Sequence, residues 1–288
     1  MPEYLTTREL ADLLRIGERK VYDLAGKGEV PHVRALGKLL FPRSEITRWL
    51  AASRGGPEME DAPLPAILAG SHDPLLDWAL QQSGAGLASL CNGSFDGLAR
   101  LANRQALAAG LHIAEPQGWN VTALTDRMGH APVVLVELAR RQRGLLLAPD
   151  AGSIDTLAQL DGTPLIMRQE TAASQRQFIT MLAQAGVTDV QAISQRAQTE
   201  QELAIALREG KAMAGFGLAA MASLYDLRFV PLTNERFDLA VWRRAWFDPP
   251  MQALMAFLHS DAFATRAAEL GGYDLAGLGN VHHNGASG

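Results

Sequence analysis

Three short segments of this 288-residue chain place small or hydroxylated residues between an apolar run and an amphipathic pattern: Gly70-Ser71, Gly93-Ser94 and Thr171 to Ser174. If each run is a strand and each pattern a helix, free N–H groups and hydroxyls gather at three helix N-termini, where the helix dipole favours negative charge. That chemistry suits an anion. Serine and threonine are also ordinary helix caps, so the residues alone leave both anion binding and plain capping open.

Hydrolytic chemistry is not expected from Ser71-His72-Asp73, although these are the three residue types of a catalytic triad. Adjacent side chains cannot point at one another as a triad requires, and the chain has no G-x-S-x-G elbow, no P-loop and no H-E-x-x-H helix. His72 is therefore interpreted as a cleft-lining or capping residue. His112 either lines a cleft or makes a structural hydrogen bond. The sequence predicts a protein that is not an enzyme and has no cofactor or metal.

Contact with nucleic acid is the second chemistry that the sequence suggests. Residues 1–54 hold ten Lys/Arg against seven Asp/Glu, whereas the rest of the chain holds 16 against 24, so a positive head precedes an acidic body. The head pattern predicts two short helices, a two-stranded wing around Gly37 and a closing helix from Ser44 to about Ala52. Thr6 and Glu9 have the spacing of a capping box. This is the element order of a winged helix-turn-helix.

The predicted helices and strands divide into two domains. Hydrophobic periodicity is lost in residues 53–63, which predicts a linker between a head (1–52) and a body (64–280), with a flexible tail at 281–288. In the body, apolar runs alternate with amphipathic patterns, which predicts an α/β fold with mostly parallel strands. VVLVEL and GLLLAP are predicted as two strands joined by a turn at RRQRG, and RFVPL and FDLAVW as two more.

The head resembles the excisionase-type, MerR-related winged helix-turn-helix family. The matching features are LTTRELADLL, a glycine-containing turn after the second helix, V-P-x-V-R, a G-K wing tip, F-P-R-S and a final W-L. The resemblance implies that the second helix enters the major groove of double-stranded operator DNA while the wing lies against the backbone. The candidate DNA contacts, carried over by position, are Arg19, Lys20, Tyr22, Arg34, Lys38 and Arg43. A protein-binding adaptor with a solvated basic face is the alternative.

The body resembles the periplasmic-binding-protein-like domain that is fused to helix-turn-helix heads in bacterial regulators, akin to molybdate-binding proteins. The matching stretches include AGSHDPLLDW, NGSFDGLARL, GLHIAEPQGWN, LREGKAMAGFG and LRFVPLTNERFDLAV. The resemblance implies a two-lobed type II fold with an effector in the interlobe cleft. The candidate effector contacts are Ser71, His72, Ser94, Thr171, Ala172 and Ser174. The loop after Arg168-Gln169 lacks the Gly-Ser-Gly-Thr-Arg usual in relatives.

Together, the residues and the two resemblances predict a one-component transcriptional regulator that senses a small anion. Molybdate or tungstate is favoured, and an organic acid or another small metabolite is the alternative. A homodimer is expected, because a single small head offers a limited interface with DNA. The chain shows no signal peptide and no membrane-length apolar run, which predicts a cytoplasmic location. The sequence does not determine whether the regulator activates or represses.

Overall fold

The computed structural model describes residues 3–35, 37–52 and 63–285. The chain divides into two compact units, Met1–Pro63 and Leu64–Gly288. All of the predicted linker except Pro63 lies outside the described residues, as do residues 286–288 of the predicted tail. None of the helices within the described ranges is long and apolar enough to cross a membrane.

The first unit is a helical domain closed by a small antiparallel sheet. Its elements are β1 (Tyr4–Thr6), α1 (Thr7–Leu14), α2 (Glu18–Gly26), β2 (Val33–Ala35), β3 (Lys38–Pro42) and α3 (Arg43–Ala52), with strand order β1-β3-β2. The predicted capping box is present: Thr6 Oγ1 accepts the Glu9 N–H at 3.3 Å, and Glu9 Oε2 accepts the Thr6 N–H at 2.8 Å. Leu10, Val21 and Phe41 pack into the core between helices and sheet. The sequence pattern did not predict β1.

The second unit is built on one ten-stranded sheet and a separate two-stranded sheet of β7 and β8. Its strands are β4 (Ile67–Gly70), β5 (Ala88–Leu90), β6 (Ala108–Leu111), β7 (Ala114–Glu115), β8 (Gly118–Trp119), β9 (Val133–Leu147), β10 (Pro164–Arg168), β11 (Gln191–Ala197), β12 (Ala214–Leu218), β13 (Arg228–Trp242), β14 (Tyr273–Asp274) and β15 (Val281–Asn284). Its helices are α4 (Pro74–Gln82), α5 (Ser94–Ala102), α6 (Val121–Met128), α7 (Ala173–Gln184), α8 (Glu200–Arg208), α9 (Ala219–Tyr225), α10 (Arg243–Trp246), α11 (Pro249–Leu258) and α12 (Asp261–Leu270), with a 3-10 turn at Leu157–Leu160.

The main sheet has the order β11-β10-β12-β9-β13-β6-β4-β5 and carries two lobes. Lobe 1 is built on β4 to β6, whose apolar residues share one core with α4, α5, α11 and α12. Lobe 2 is built on β10 to β12, with apolar clusters on both faces of its part of the sheet under α7 and α8. Within each lobe the short strands are parallel. The predicted two-lobed α/β fold is confirmed.

The long strands β9 and β13 run through both lobes, and here the sequence prediction was wrong. RRQRG does not form a turn, because β9 continues from Val133 to Leu147 and pairs with β13 along its whole length. RFVPL and FDLAVW likewise belong to one strand, β13. Charged residues between apolar runs suggested a turn on the surface. They lie inside the sheet because carboxylates from other elements neutralise them, as described below.

The predicted flexible tail is also corrected. Residues 281–284 form β15, which pairs antiparallel with the lobe 1 half of β9. His282 contacts Glu137 Oε2 through Nε2 at 2.7 Å and Arg236 Nη1 through Nδ1 at 3.2 Å. These polar contacts to a neighbouring strand are long-range, so local composition could not reveal them.

Candidate functional site

A narrow cavity with about 10 Å³ of free volume lies between the two lobes of the second unit. It is lined by Ser71, His72, Cys91, Gly93, His112, Arg168, Ala172, Ala173, Ser174 and Glu200. Four of the predicted effector contacts are therefore brought together in its wall, and Ser94 lies directly beside it through a hydrogen bond to Ser71. Thr171 is exposed and is not part of this wall. At the rim, the Arg176 guanidinium of α7 lies 4.5 Å from the Phe95 ring centre of α5, so the lobes are in contact here.

The Ser71 and Ser94 hydroxyls meet because β4, β6 and α5 approach one another through glycines. A Cβ on Gly97 would lie 2.3 Å from the Gly70 Cα, and one on Gly70 would lie 2.3 Å from the Gly110 carbonyl oxygen. Gly70 also has φ +112°, a conformation that favours glycine. Without side chains between these elements, helix and strands can pack in direct backbone contact.

The serine pair leaves one hydroxyl hydrogen for an occupant of the cavity. Ser71 Oγ and Ser94 Oγ are 2.8 Å apart, and Ser94 Oγ also accepts the His112 N–H at 3.1 Å. Two hydroxyls carry two hydrogens, and one of them forms the bond between the serines. The other has no acceptor among the described residues. When Ser94 donates to Ser71, the Ser71 hydroxyl, which lines the cavity, can offer its O–H to a ligand.

Two helices begin at the cavity without a capping side chain. α5 follows Gly93 and α7 follows Ala172, and neither N-cap accepts a side-chain hydrogen bond. In contrast, Asp73 caps α4 and Thr199 caps α8. The unsatisfied amides of uncapped helix starts carry partial positive charge. Amides of this kind are suited to bind a small anion.

His72 adds a polar atom without a partner. Its Nε2 lies 2.8 Å from Asp77 Oδ2, while its Nδ1 is buried and has no hydrogen-bond partner within the described part of the chain. Burial alone would lower the pKa of His72. The hydrogen bond to Asp77 and the negative charges of Asp77, Asp73 and Glu200 outweigh burial, so its pKa is raised above 6.5. In its protonated form, the imidazole can donate from Nδ1.

Next to the cavity lies a buried ionic network that sequence reasoning missed. Its cations are Arg141, Arg143 and Arg168, and its anions are Asp73, Glu200 and Glu235. These six groups balance in charge. The signal that was present in the sequence is Arg141 and Arg143 at alternate positions between apolar runs, which places both on one face of a continuous strand.

The network joins lobe 1 to lobe 2 through the two long strands. Arg141 donates to Asp73 Oδ2 at 2.9 Å and also to Glu235 Oε1. Arg143 donates to both oxygens of Glu235, each at 3.0 Å, and to Glu200 Oε1 at 3.0 Å. Arg168 donates to the same Glu200 oxygen at 2.6 Å. Asp73 belongs to lobe 1 and Glu200 to lobe 2, so the chain of ion pairs runs from one lobe to the other.

These ion pairs determine whether the buried carboxyl and imidazole groups next to the cavity are charged. Burial would raise the pKa of Glu200, but Arg143 and Arg168 lower it to about 2. Burial would likewise raise the pKa of Glu235, yet Arg141, Arg143 and His112 hold it well below its ordinary value. Burial lowers the pKa of His112 more than Glu235 raises it, so His112 is neutral. The sequence left two roles open for His112, and the structure shows both. His112 lines the cavity, and its Nδ1 lies 3.1 Å from Glu235 Oε2.

The first unit presents most of the predicted DNA contacts on its surface. Arg19, Lys20 and Tyr22 are exposed on α2, whose opposite side buries Val21 and Ala25, and Tyr22 is 54% exposed. A groove between α1, α2 and the wing is lined by Thr6, Thr7, Arg8, Tyr22, Arg34, Gly37, Lys38, Leu39 and Leu40. It brings together three predicted contacts and adds Arg8, which the prediction omitted. Arg43 is half-buried at the start of α3.

Comparisons with known proteins match both units. Residues 77–259 match a family model described as the PBP superfamily domain, and residues 4–54 match one described as a helix-turn-helix domain. The uncharacterized protein YvgK of Bacillus subtilis (strain 168) is 22% identical over 302 residues, covering 96% of each chain.

Solved structures are similar at low sequence identity. One is a Clostridium perfringens protein described as a phosphate ABC transporter substrate-binding protein, with bound phosphate; it has 12% identity and a TM-score of 0.52 over 71% of this chain and 96% of that one. Another is the Corynebacterium glutamicum OxyR C206 mutant, with 13% identity and a TM-score of 0.49 over 92% and 89%. The family models and the first structure agree with the two-lobed fold and the helix-turn-helix head.

Proposed function

This chain belongs to the PBP superfamily, and on that premise we propose that it is a cytoplasmic transcriptional regulator whose DNA binding responds to a small anion. The helix-turn-helix domain at residues 4–54 supports contact with DNA. The observation that supports an anionic effector is the composition of the cavity wall. The spare hydroxyl of the Ser71–Ser94 pair, the buried Ser174 and the uncapped starts of α5 and α7 converge on one cavity that both lobes enclose.

Molybdate and tungstate are the candidate effectors that the sequence resemblance favours, with organic acids as the alternative. We expect at least one small anion to raise the thermal unfolding midpoint, because a ligand that binds only the folded state stabilises it by mass action. The midpoint is measured with molybdate, tungstate, sulfate, phosphate and short organic acids, with matched chloride as the control. No shift with any of them would contradict anion sensing in this cavity.

The proposed response is a linkage between closure of the lobes and affinity for the operator. An anion that contacts lobe 1 through Ser71 and Ser94 and lobe 2 through Ser174 binds the closed form more tightly than the open one. In a homodimer, closure then changes how the two heads are presented to a two-fold operator. The linkage predicts that anion and operator alter each other's affinity by the same factor.

Replacing Arg19 and Lys20 together by alanine is expected to weaken binding to the promoter region of the chain's own gene by at least about thirtyfold, since it removes two contacts that are each worth about 1–3 kcal/mol. Fluorescence anisotropy with labelled DNA at fixed salt measures this. The matched control is Arg208→Ala with Lys211→Ala, which removes two positive charges from the body. Equal affinity of wild type and both variants, or no binding by the wild type, would favour an adaptor that contacts another protein.

Anion affinity is expected to fall as pH rises above 6.5, the ordinary pKa of histidine, because His72 then loses the Nδ1 proton that an anion can accept. Because the pKa of His72 is raised, the loss of anion affinity is centred on that raised pKa and not on 6.5. His72→Gln should flatten the profile, whereas His130→Gln, an exposed residue outside the cavity, should not. Calorimetry with sulfate or glycolate, whose own charge is constant in this range, measures it. A flat wild-type profile would contradict the role of His72.

A further inference from the structure

We infer that the second unit has a second ligand site, for a small zwitterion such as an α-amino acid, on the face of the sheet opposite the interlobe cavity. The site is a pocket of about 270 Å³. Its wall includes Arg140 and Gln142 of β9, Asn234 of β13 and Asp274 of β14. This site is separate from the one in the proposed function, because it has a different place in the fold and a different ligand.

The alternation of side chains along β9 places the pocket behind the sheet. Arg141 belongs to the buried ionic network beside the interlobe cavity. Neighbouring residues of a strand point to opposite faces, so Arg140 and Gln142 point away from that network. Their cross-strand partners, Asp274 and Asn234 respectively, share the same face. Three adjacent strands therefore present four polar side chains to one pocket.

The pocket holds one cation and one anion that do not pair with each other. The Arg140 side chain is 61% exposed, and its Nε donates to Glu137 Oε1 at 3.3 Å. Asp274 is exposed, and its Oδ1 accepts the Ala276 N–H at 2.9 Å. No ion pair joins Arg140 to Asp274 in the described part of the chain, although the two residues stand opposite each other. The outer guanidinium nitrogens and one carboxylate oxygen therefore remain for a ligand.

Gln142 and Asn234 add two amide groups to the same wall. Among residues 3–35, 37–52 and 63–285, neither amide has a hydrogen-bond partner. An amide donates through its NH₂ and accepts through its oxygen. The two groups are therefore suited to a neutral polar group that also donates and accepts, such as a hydroxyl or another amide.

A zwitterion matches these groups better than an anion or a cation does. A carboxylate fits the planar guanidinium of Arg140, which can donate two parallel N–H groups, and an ammonium group fits Asp274. An anion alone would set a second negative charge against Asp274, and a cation alone would set a second positive charge against Arg140. The Cβ atoms of directly opposite residues are about 4.5–5.5 Å apart, so one small molecule can contact both side chains.

The size of the pocket points to the same class of ligand. Pockets for drug-sized molecules have volumes of roughly 300–1,000 Å³, and this one is slightly smaller. An α-amino acid carries its carboxylate and its ammonium group on one carbon. The two amides of the pocket favour one with a neutral polar side chain, as in serine, asparagine and glutamine.

Titration calorimetry of the full-length protein with L-serine, L-asparagine and L-glutamine tests the site. We expect at least one of them to bind. Its N-acetyl derivative lacks the ammonium charge and its carboxamide derivative lacks the carboxylate charge. Each derivative should bind at least about tenfold more weakly, because it leaves one charged group of the pocket without its partner.

Two variants of the pocket locate the bound amino acid. Arg140→Gln and Asp274→Asn should each weaken binding at least about tenfold, whereas Arg140→Lys, which keeps the charge, should weaken it less than Arg140→Gln does. The matched controls are Asp126→Asn and Arg127→Gln, which change an exposed acid and an exposed base on α6 and should bind as the wild type does. Circular dichroism confirms that each variant is folded, as expected for substitutions at exposed positions.

Three results would overturn the inference. The first is no binding of any of the three amino acids at millimolar concentration. The second is equal affinity for the acetylated or the amidated derivative. The third is unchanged affinity in both Arg140→Gln and Asp274→Asn, which would place the amino acid elsewhere. None of these results bears on the proposed function, which is tested with inorganic anions, organic acids and DNA.

Discussion

Replacing Glu235 by glutamine should lower the free energy of unfolding by about 3–5 kcal/mol, the range measured when one partner of a buried ion pair is removed. Glu235 is 1% exposed and accepts hydrogen bonds from Arg141, Arg143 and His112. Glutamine has nearly the same shape but no charge, so two buried guanidinium groups lose their shared counter-ion. Urea denaturation followed by circular dichroism measures the change.

The control for this experiment is an ion pair at the surface. Arg196 and Glu170 are 3.6 Å apart with side chains that are 45% and 83% exposed. Arg196→Gln should therefore cost less than about 1 kcal/mol, because water screens exposed pairs. If Glu235→Gln were equally mild, the network would not be what stabilises the pairing of β9 with β13.

Gly97→Ala should weaken phosphate binding by more than tenfold although Gly97 contacts no ligand. The added Cβ would lie 2.3 Å from the Gly70 Cα and 2.8 Å from its nitrogen, so α5 must move away from β4. That movement carries Ser94 away from Ser71 and turns the start of α5 out of the cavity wall. The overpacking should also cost about 1–3 kcal/mol of stability. Calorimetry and urea denaturation measure the two effects separately.

Gly26→Ala is the matched control, since Gly26 is also helical but a Cβ added there would have no neighbouring atom within 4 Å. Alanine there should leave phosphate binding unchanged and should not destabilise the protein, because alanine has the higher helix propensity. Undiminished phosphate binding by Gly97→Ala would show that the spacing of the two serines is not required. Stability data would then tell whether α5 had moved at all.

Local patterns predicted the parts of this molecule that are held by short-range contacts. The Thr6–Glu9 capping box is an interaction over three residues, and it formed as expected. Ser71 follows directly on β4 and Ser94 begins α5, so both stand at the strand-to-helix junctions that the sequence indicated. Periodicity also indicated the alternation of strands and helices in both lobes.

Long-range charge pairing was not visible in the sequence. Arg141 and Glu235 are 94 residues apart, and nothing local shows that each neutralises the other. A charged segment without its partner resembles a surface turn, so β9 was divided in two. The same reason applies to β15, whose His282 contacts Glu137 across 145 residues.

The course of β9 and β13 has a consequence for biosynthesis. Lobe 2 consists of one uninterrupted segment between Leu147 and Arg228, so its short-range contacts can form as soon as that segment leaves the ribosome. The core of lobe 1 instead joins Leu68, near the start of the body, to Met251 and Phe263 near its end. Its apolar surface stays open until those last helices emerge. The lobe that is synthesised first is therefore the one that finishes folding last.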